Sequence, residues 1–203
     1  MKKVLNLIIF CFFLSLCNCS GQRNNIIDSL QKNPIKGFID DSIMIKLRSE
    51  SDLVIGYSVY NHTWDYPDHY SLLVLRNTKW AGVRYHWNMN TRITTEPRFS
   101  FTSSELREDL VDSVINIITA NKGWTLDCPK CEDRLCQIID NGKTKIVDCK
   151  ISDASSMKLI MMTKTSLRLT TFYAPEYLEN CCPGWQERIR FLKIVKAIEN
   201  LFK

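Results

Sequence analysis

Leu53–Trp87 reads LVIGYSVY, NHTWDYPDH, YSLLVLR, NT, KWAGVRYHW, and this stretch decides the fold. Leu53–Tyr60, Tyr70–Arg76 and Lys79–Trp87 are short runs rich in aliphatic and aromatic residues, the composition of strands. Only Asn77-Thr78 separates the second run from the third. Two residues can join antiparallel neighbours, whereas a parallel crossover needs about a dozen or more. The segment therefore predicts strands laid down in hairpins. The polar and aromatic stretch Asn61–His69 predicts a loop between the first two.

The same reading extends outward. Upstream, Ile43, Ile45 and Leu47 alternate with Met44, Lys46 and Arg48, which predicts another strand ending at the polar turn Ser49–Asp52. Downstream, Asn88–Ser100 is polar and is read as extended chain or loop. Thr102-Ser103-Ser104-Glu105 has the spacing of a helix capping box, and Leu106, Leu110, Val114, Ile117 and Ile118 follow at helical spacing. These predict an amphipathic helix ending near Asn121–Gly123. Asn141-Gly142, between Leu135–Asp140 and Lys143–Lys150, is a strong hairpin signal because both residues tolerate positive φ. Met157–Thr163 and Ser166–Tyr173 read as further strands. Pro175 opens a short helical turn through Leu178. Trp185–Phe202 reads as a second amphipathic helix, with Ile189, Leu192, Val195, Ile198 and Phe202 on its apolar face. The expected class is α+β: an antiparallel β-sheet built of hairpins, with two amphipathic helices packed on one face. No glycine-rich phosphate loop occurs, which argues against a parallel nucleotide-binding fold.

A chain of 203 residues is enough for one domain, and 45% hydrophobic against 24% charged residues is a globular balance. The net charge of +5 is partly a property of the N-terminus: without Lys2 and Lys3, 25 basic residues face 22 acidic ones. That interspersed excess lacks the clustered basic stripe of a nucleic-acid binder, so no nucleic-acid partner is expected.

The N-terminus has the plan of an export signal. Lys2 and Lys3 precede an apolar run, Val4–Leu16, and the chain turns polar at Cys17-Asn18-Cys19-Ser20-Gly21-Gln22. The run of about 13 residues is short of the ~20 that span a bilayer. Residues 1–18 are expected to be a signal peptide, 19–41 a tether and 42–203 a single domain. The tether reading rests on Gly21, Gln22, Asn24, Asn25, Asn33, Pro34 and Gly37, around one small apolar cluster, Ile26-Ile27-Leu30. The end of the leader resembles a bacterial lipobox. That resemblance implies lipidation at Cys19, with Cys17 as the alternative, and anchorage to a membrane facing the periplasm or the cell surface. A secreted or soluble periplasmic protein is the other localisation.

Beyond the leader lie six cysteines: Cys128, Cys131, Cys136, Cys149, Cys181 and Cys182. An even number in an exported chain predicts disulfides, with fifteen possible connectivities. Across an Asn-Gly turn Cys136 faces Val147, so Cys149 lies on the same face one step off. Cys181 and Cys182 are adjacent and are expected to bond elsewhere than to each other. Cys128-Pro129-Lys130-Cys131 resembles glutaredoxin-like motifs, which implies a redox dithiol, and also the knuckle of zinc ribbons, which implies a thiolate cage. The long helix that follows the redox motif and the second C-x-x-C of the zinc site are both missing, so structural disulfides are the preferred reading.

His62, Asp65, Asp68 and His69 cluster with Trp64 and Tyr66 between two strands. Such groups suit metal ligation or acid–base work, or simply a polar loop whose aromatics cap the sheet end. Trp64, Tyr66, His62 and His69 are the best candidates for a binding surface, because aromatics are favoured at interfaces. His86, beside Tyr85 and Trp87, reads as a surface or packing residue, and Arg188, Arg190, Lys193 and Lys196 as a solvated helix face. No catalytic set, metal site or cofactor motif emerges. The expected function is that of an exported, lipid-anchored envelope protein with a non-enzymatic binding or structural role. Its partners would be the membrane and another envelope protein. The alternatives are a thiol-disulfide oxidoreductase using Cys128 and Cys131, and a metal-assisted hydrolase at the His62–His69 loop.

Overall fold

The computed structural model describes residues 21–32, 37, 39, 41–60, 67–87, 99–128 and 135–203. The fold is α+β, with an antiparallel sheet built of hairpins. Four strands form a meander: β1 (Leu53–Tyr60), β2 (Pro67–Arg76), β3 (Lys79–Trp87) and β4 (Phe99–Glu105). The hairpin β7 (Ser156–Met162) and β8 (Leu167–Tyr173) adds to the free edge of β1, giving the order β4-β3-β2-β1-β7-β8. A separate two-stranded ribbon consists of β5 (Leu135–Asp140) and β6 (Lys143–Asp148). Both expected two-residue turns form: Asn77 and Thr78 have φ of 48° and 71°, Asn141 and Gly142 of 50° and 76°.

Side chains alternate across the sheet, so each strand feeds two cores. On one face Leu53, Ile55, Leu73, Leu159, Met161 and Phe172 are buried. Two amphipathic helices lie over them, α3 (Glu108–Ala120) through Val111, Val114, Ile115 and Ile118, and α5 (Gln186–Asn200) through Phe191, Ile194, Val195 and Ile198. At roughly 1.5–3 kcal/mol for each large apolar side chain, this layer is the main source of stability. A 3-10 turn, Gly123–Thr125, leads to Leu126, whose carbonyl accepts from Arg168 and Thr170 of β8 at 2.8 and 3.1 Å and covers that edge. The opposite face buries Val54, Leu72, Val74, Val83, Ile160 and Met162 beneath α2 (Ser42–Glu50), which contributes Met44 and Leu47. A last short helix, α4 (Pro175–Cys181), precedes α5.

Four local expectations are corrected. Ser42–Leu47 is helix rather than strand: the Asp41 carboxylate accepts from the N–H of Ile43 and Met44 at 2.8 and 3.3 Å, and Met44 and Leu47 then share one helical face. Thr102–Glu105 is not a capping box but the second half of β4, paired with β3, and α3 begins only at Glu108. The face of α3 is correspondingly rotated, leaving Leu110 and Ile117 exposed. Part of the expected tether is also structured. Residues 21–32 form a helix, α1, with Ile26 and Leu30 fully buried in the core that α3 and α5 share. Its apolar cluster recurs at i and i+4, so a polar-looking segment still offers one stripe to the sheet.

Candidate functional site

The loop expected to bind emerges where β1 ends and β2 begins. His62, Trp64 and Tyr66 lie outside the described residues. His69 is in β2, half-buried and directly opposite His86 of β3. Their ring centres are 5.7 Å apart, and Tyr57 of β1 packs edge-on against His69 at 5.8 Å. Burial pushes the Tyr57 hydroxyl above the ordinary phenol range, opposed by its hydrogen bond with Ser71. On the same face Arg84 donates to the Phe202 carbonyl and lies 5.1 Å over the Phe202 ring, which ties the chain's last turn to the sheet. Sequence reading takes His86 as a surface or packing residue of a strand, which it is, without its cross-strand neighbour. Its partnership with His69 depends on the β2–β3 register, which the turn at Asn77-Thr78 fixes.

A second polar group occupies the other face at the same end. The Tyr60 and Tyr70 hydroxyls are 3.5 Å apart, Tyr70 packs on Tyr85 at 5.6 Å, and the Lys158 ammonium sits 4.2 Å over the Tyr60 ring. Tyr60, Tyr70 and Lys158 border a cavity of about 40 Å³ shared with Asp41 and Met44. Burial, then the neighbouring Tyr60, holds Tyr70 far above the ordinary phenol range, and burial does the same to Tyr85. Both are proton donors at neutral pH rather than bases. Ser58, opposite Tyr70 on β2 and Lys158 on β7, is fully buried with no hydrogen-bond partner for its hydroxyl. The histidines face the other side of the sheet. Strand alternation thus keeps Ser58 and the imidazoles apart, and they do not assemble a nucleophile–base pair.

The cysteines build the third feature. Cys136, in β5, bonds to Cys182, and Cys149, just past β6, bonds to Cys181. The adjacent cysteines at the end of α4 thus grip the two strands of the ribbon separately. The bridges span 46 and 32 residues, each worth about 4 kcal/mol of loop-closure entropy. Cys136 faces Val147 as the turn predicts. Cys128 is also disulfide-bonded, and Cys131, like Cys17 and Cys19, lies outside the described residues. Beyond this clamp the ribbon stands apart from the main sheet. On one of its faces Ile139 and Ile146 are diagonal neighbours, 82% and 68% exposed. Sequence reading places the hairpin correctly but misses this apolar pair. The consecutive Ile138-Ile139 was the available signal, because it puts an apolar side chain on both faces.

The basic face expected on α5 is partly a buried anchor. The Arg188 side chain is 6% exposed and pairs with Glu179 at 2.7 Å, while Arg190 donates to the Asn121 and Lys122 carbonyls at the end of α3. Among the described residues, no three His, Cys, Asp or Glu side chains gather as metal ligands. No protein-family model matches the chain, and no curated protein matches it in sequence.

Proposed function

We propose that this chain is an exported bacterial envelope protein, lipid-anchored through Cys19 (Cys17 is the alternative), whose domain binds another envelope protein without catalysis. The observation that carries the reading is the ribbon β5–β6. Two disulfides fix its base, and Ile139 and Ile146 project into solvent at its outer face. Structural disulfides suit an oxidising compartment, in keeping with the leader. Two neighbouring exposed branched side chains on a clamped, two-stranded arm form an apolar spot whose burial by a partner would be favourable. The loop bearing His62, Trp64 and Tyr66 next to His69 supplies the second contact surface.

Two measurements test this. A photo-crosslinking residue at position 139 or 146, expressed in the native envelope, is expected to give one discrete adduct, and the same residue at exposed Ser113 none. Equal adducts at all three positions, or none at any, would remove the binding surface. For the anchor, Cys19→Ala is expected to release the protein from membranes, with Cys17→Ala without effect. Membrane retention of both single variants and of the double variant would end the lipid-anchor reading.

A further inference from the structure

We propose that His69 and His86 form a two-imidazole site for a divalent first-row transition ion of the Zn2+ or Cu2+ type. The chain has three histidines, and the sheet sets these two directly opposite each other. The β2–β3 turn fixes how closely. Asn77 and Thr78 both have positive φ, the conformation of a two-residue hairpin turn, and such a turn is closed by a hydrogen-bonded pair, here Arg76 with Lys79. Hydrogen-bonded and non-hydrogen-bonded pairs then alternate along an antiparallel ladder. The register runs without a shift from Arg76 and Lys79 to His69 and His86, and the histidines fall an odd number of steps along. They therefore occupy a non-hydrogen-bonded pair, where Cα atoms are about 4.5 Å apart rather than about 5.5 Å and side chains meet most closely.

The rings agree with this placement. Their centres are 5.7 Å apart with planes inclined by 35°. A tetrahedral ion bonded to two imidazole nitrogens at ~2.0–2.1 Å holds the ring centres about 5.3 Å apart, so a small side-chain rotation closes the difference. Imidazole is a preferred ligand for Zn2+ and Cu2+, and two ligands on rigid neighbouring strands bind without ordering a loop. His86 is exposed and His69 half-buried, so the ion enters from solvent and keeps water in its other positions. Tyr57 braces His69. Arg84, two residues before His86 on the same face, would oppose a dication, but its guanidinium is turned to the Phe202 carbonyl and ring. At neighbouring Tyr57 the influence of Arg84 is opposed by those of Glu199 of α5 and Glu176 of α4. The site is independent of the partner-binding reading.

The test is calorimetric titration of zinc chloride and copper(II) chloride into the full chain purified without chelators. One equivalent of ion is expected to bind and to raise Tm, because the folded sheet holds the two imidazoles together and the unfolded chain does not. His86→Ala, at an exposed position, is expected to leave the metal-free Tm unchanged and to weaken binding at least about tenfold, with loss of the metal-induced Tm shift. His69→Gln is expected to weaken binding equally. Absence of binding to the unaltered chain would overturn the proposal. So would undiminished affinity in both variants, or affinity lost in His62→Ala but retained in both.

Discussion

Arg188 shows what a single residue discloses and conceals. It stands at helical spacing with Phe191, Val195 and Ile198, so a charge there is already out of place in the apolar stripe of α5. That signal was present but went unread, because Ile189 and Leu192 suggest a different apolar face, on which Arg188 falls among the solvated charges. Its resolution was not legible, because the counter-charge lies on another helix: the Glu179 carboxylate takes the Arg188 Nε–H at 2.7 Å and the Gly184 N–H at 2.9 Å. The guanidinium also reaches the Cys182 carbonyl and stacks 5.5 Å from the Trp185 ring. One ion pair thereby holds α4, the disulfide clamp and the start of α5 together. Removing one partner of a buried pair leaves an uncompensated charge, which costs about 3–5 kcal/mol, whereas replacing both by apolar residues can be nearly neutral. Glu179→Ala should therefore destabilise the protein by about 3 kcal/mol in urea unfolding, and Glu179→Leu combined with Arg188→Met by distinctly less. Equal losses in the two would mean that packing, not charge, fixes this corner.

At the scale of elements, legibility followed the source of the signal. The hairpin at Asn141-Gly142 was readable because both residues tolerate the positive φ that the turn requires, and that at Asn77-Thr78 because only two residues separate its strands. The segments Ser42–Glu50 and Thr102–Glu105 were not, because each sequence satisfies two local patterns at once. For the first, the sheet decides: β7 already occupies the second edge of β1, and the cap at Asp41 lets the same apolar residues cover the face instead. For the second, the serine–threonine run suits an exposed edge strand as well as a helix start, and its pairing with β3 wins. The ribbon β5–β6 is the element whose existence rests least on its own contacts. An isolated two-stranded hairpin is marginal in water, so the bridges at Cys136–Cys182 and Cys149–Cys181 must supply its order. With all four cysteines replaced by alanine, amide exchange should speed up by at least about tenfold from Gln137 to Ile146, while the β1 and β2 amides keep their protection. Protection retained in the ribbon would show that it is stable without its clamp.

For the whole molecule, the two faces of the sheet are unequally covered. One carries α1, α3 and α5, and the other carries α2. The antiparallel architecture was readable from the short turns, and the two long helices from their period. The role of residues 21–32 was not, because their helix contributes only a narrow apolar stripe and has no meaning until the groove that receives it exists. That groove is lined by the same core that buries α3 and α5, and Ile26 and Leu30 enter it at 0% and 2% exposure. The segment is thus part of the domain rather than a spacer before it. If Cys19 carries the lipid, as proposed, it stands two positions before Gly21, the first described residue of the helix. The domain would then rest against the membrane instead of swinging on a linker of about twenty residues. The two pictures differ in a measurable way. Truncating a fully buried Ile or Leu to Ala costs about 2–5 kcal/mol, whereas the same change in a solvated tether costs close to nothing. Ile26→Ala and Leu30→Ala should each lower the unfolding free energy within that range, with an unchanged m-value, and Asn25→Ala, at an exposed position of the same helix, should not. A stability loss below about 0.5 kcal/mol in both core variants would return residues 21–32 to the tether and with them the freedom of the domain to stand off the membrane.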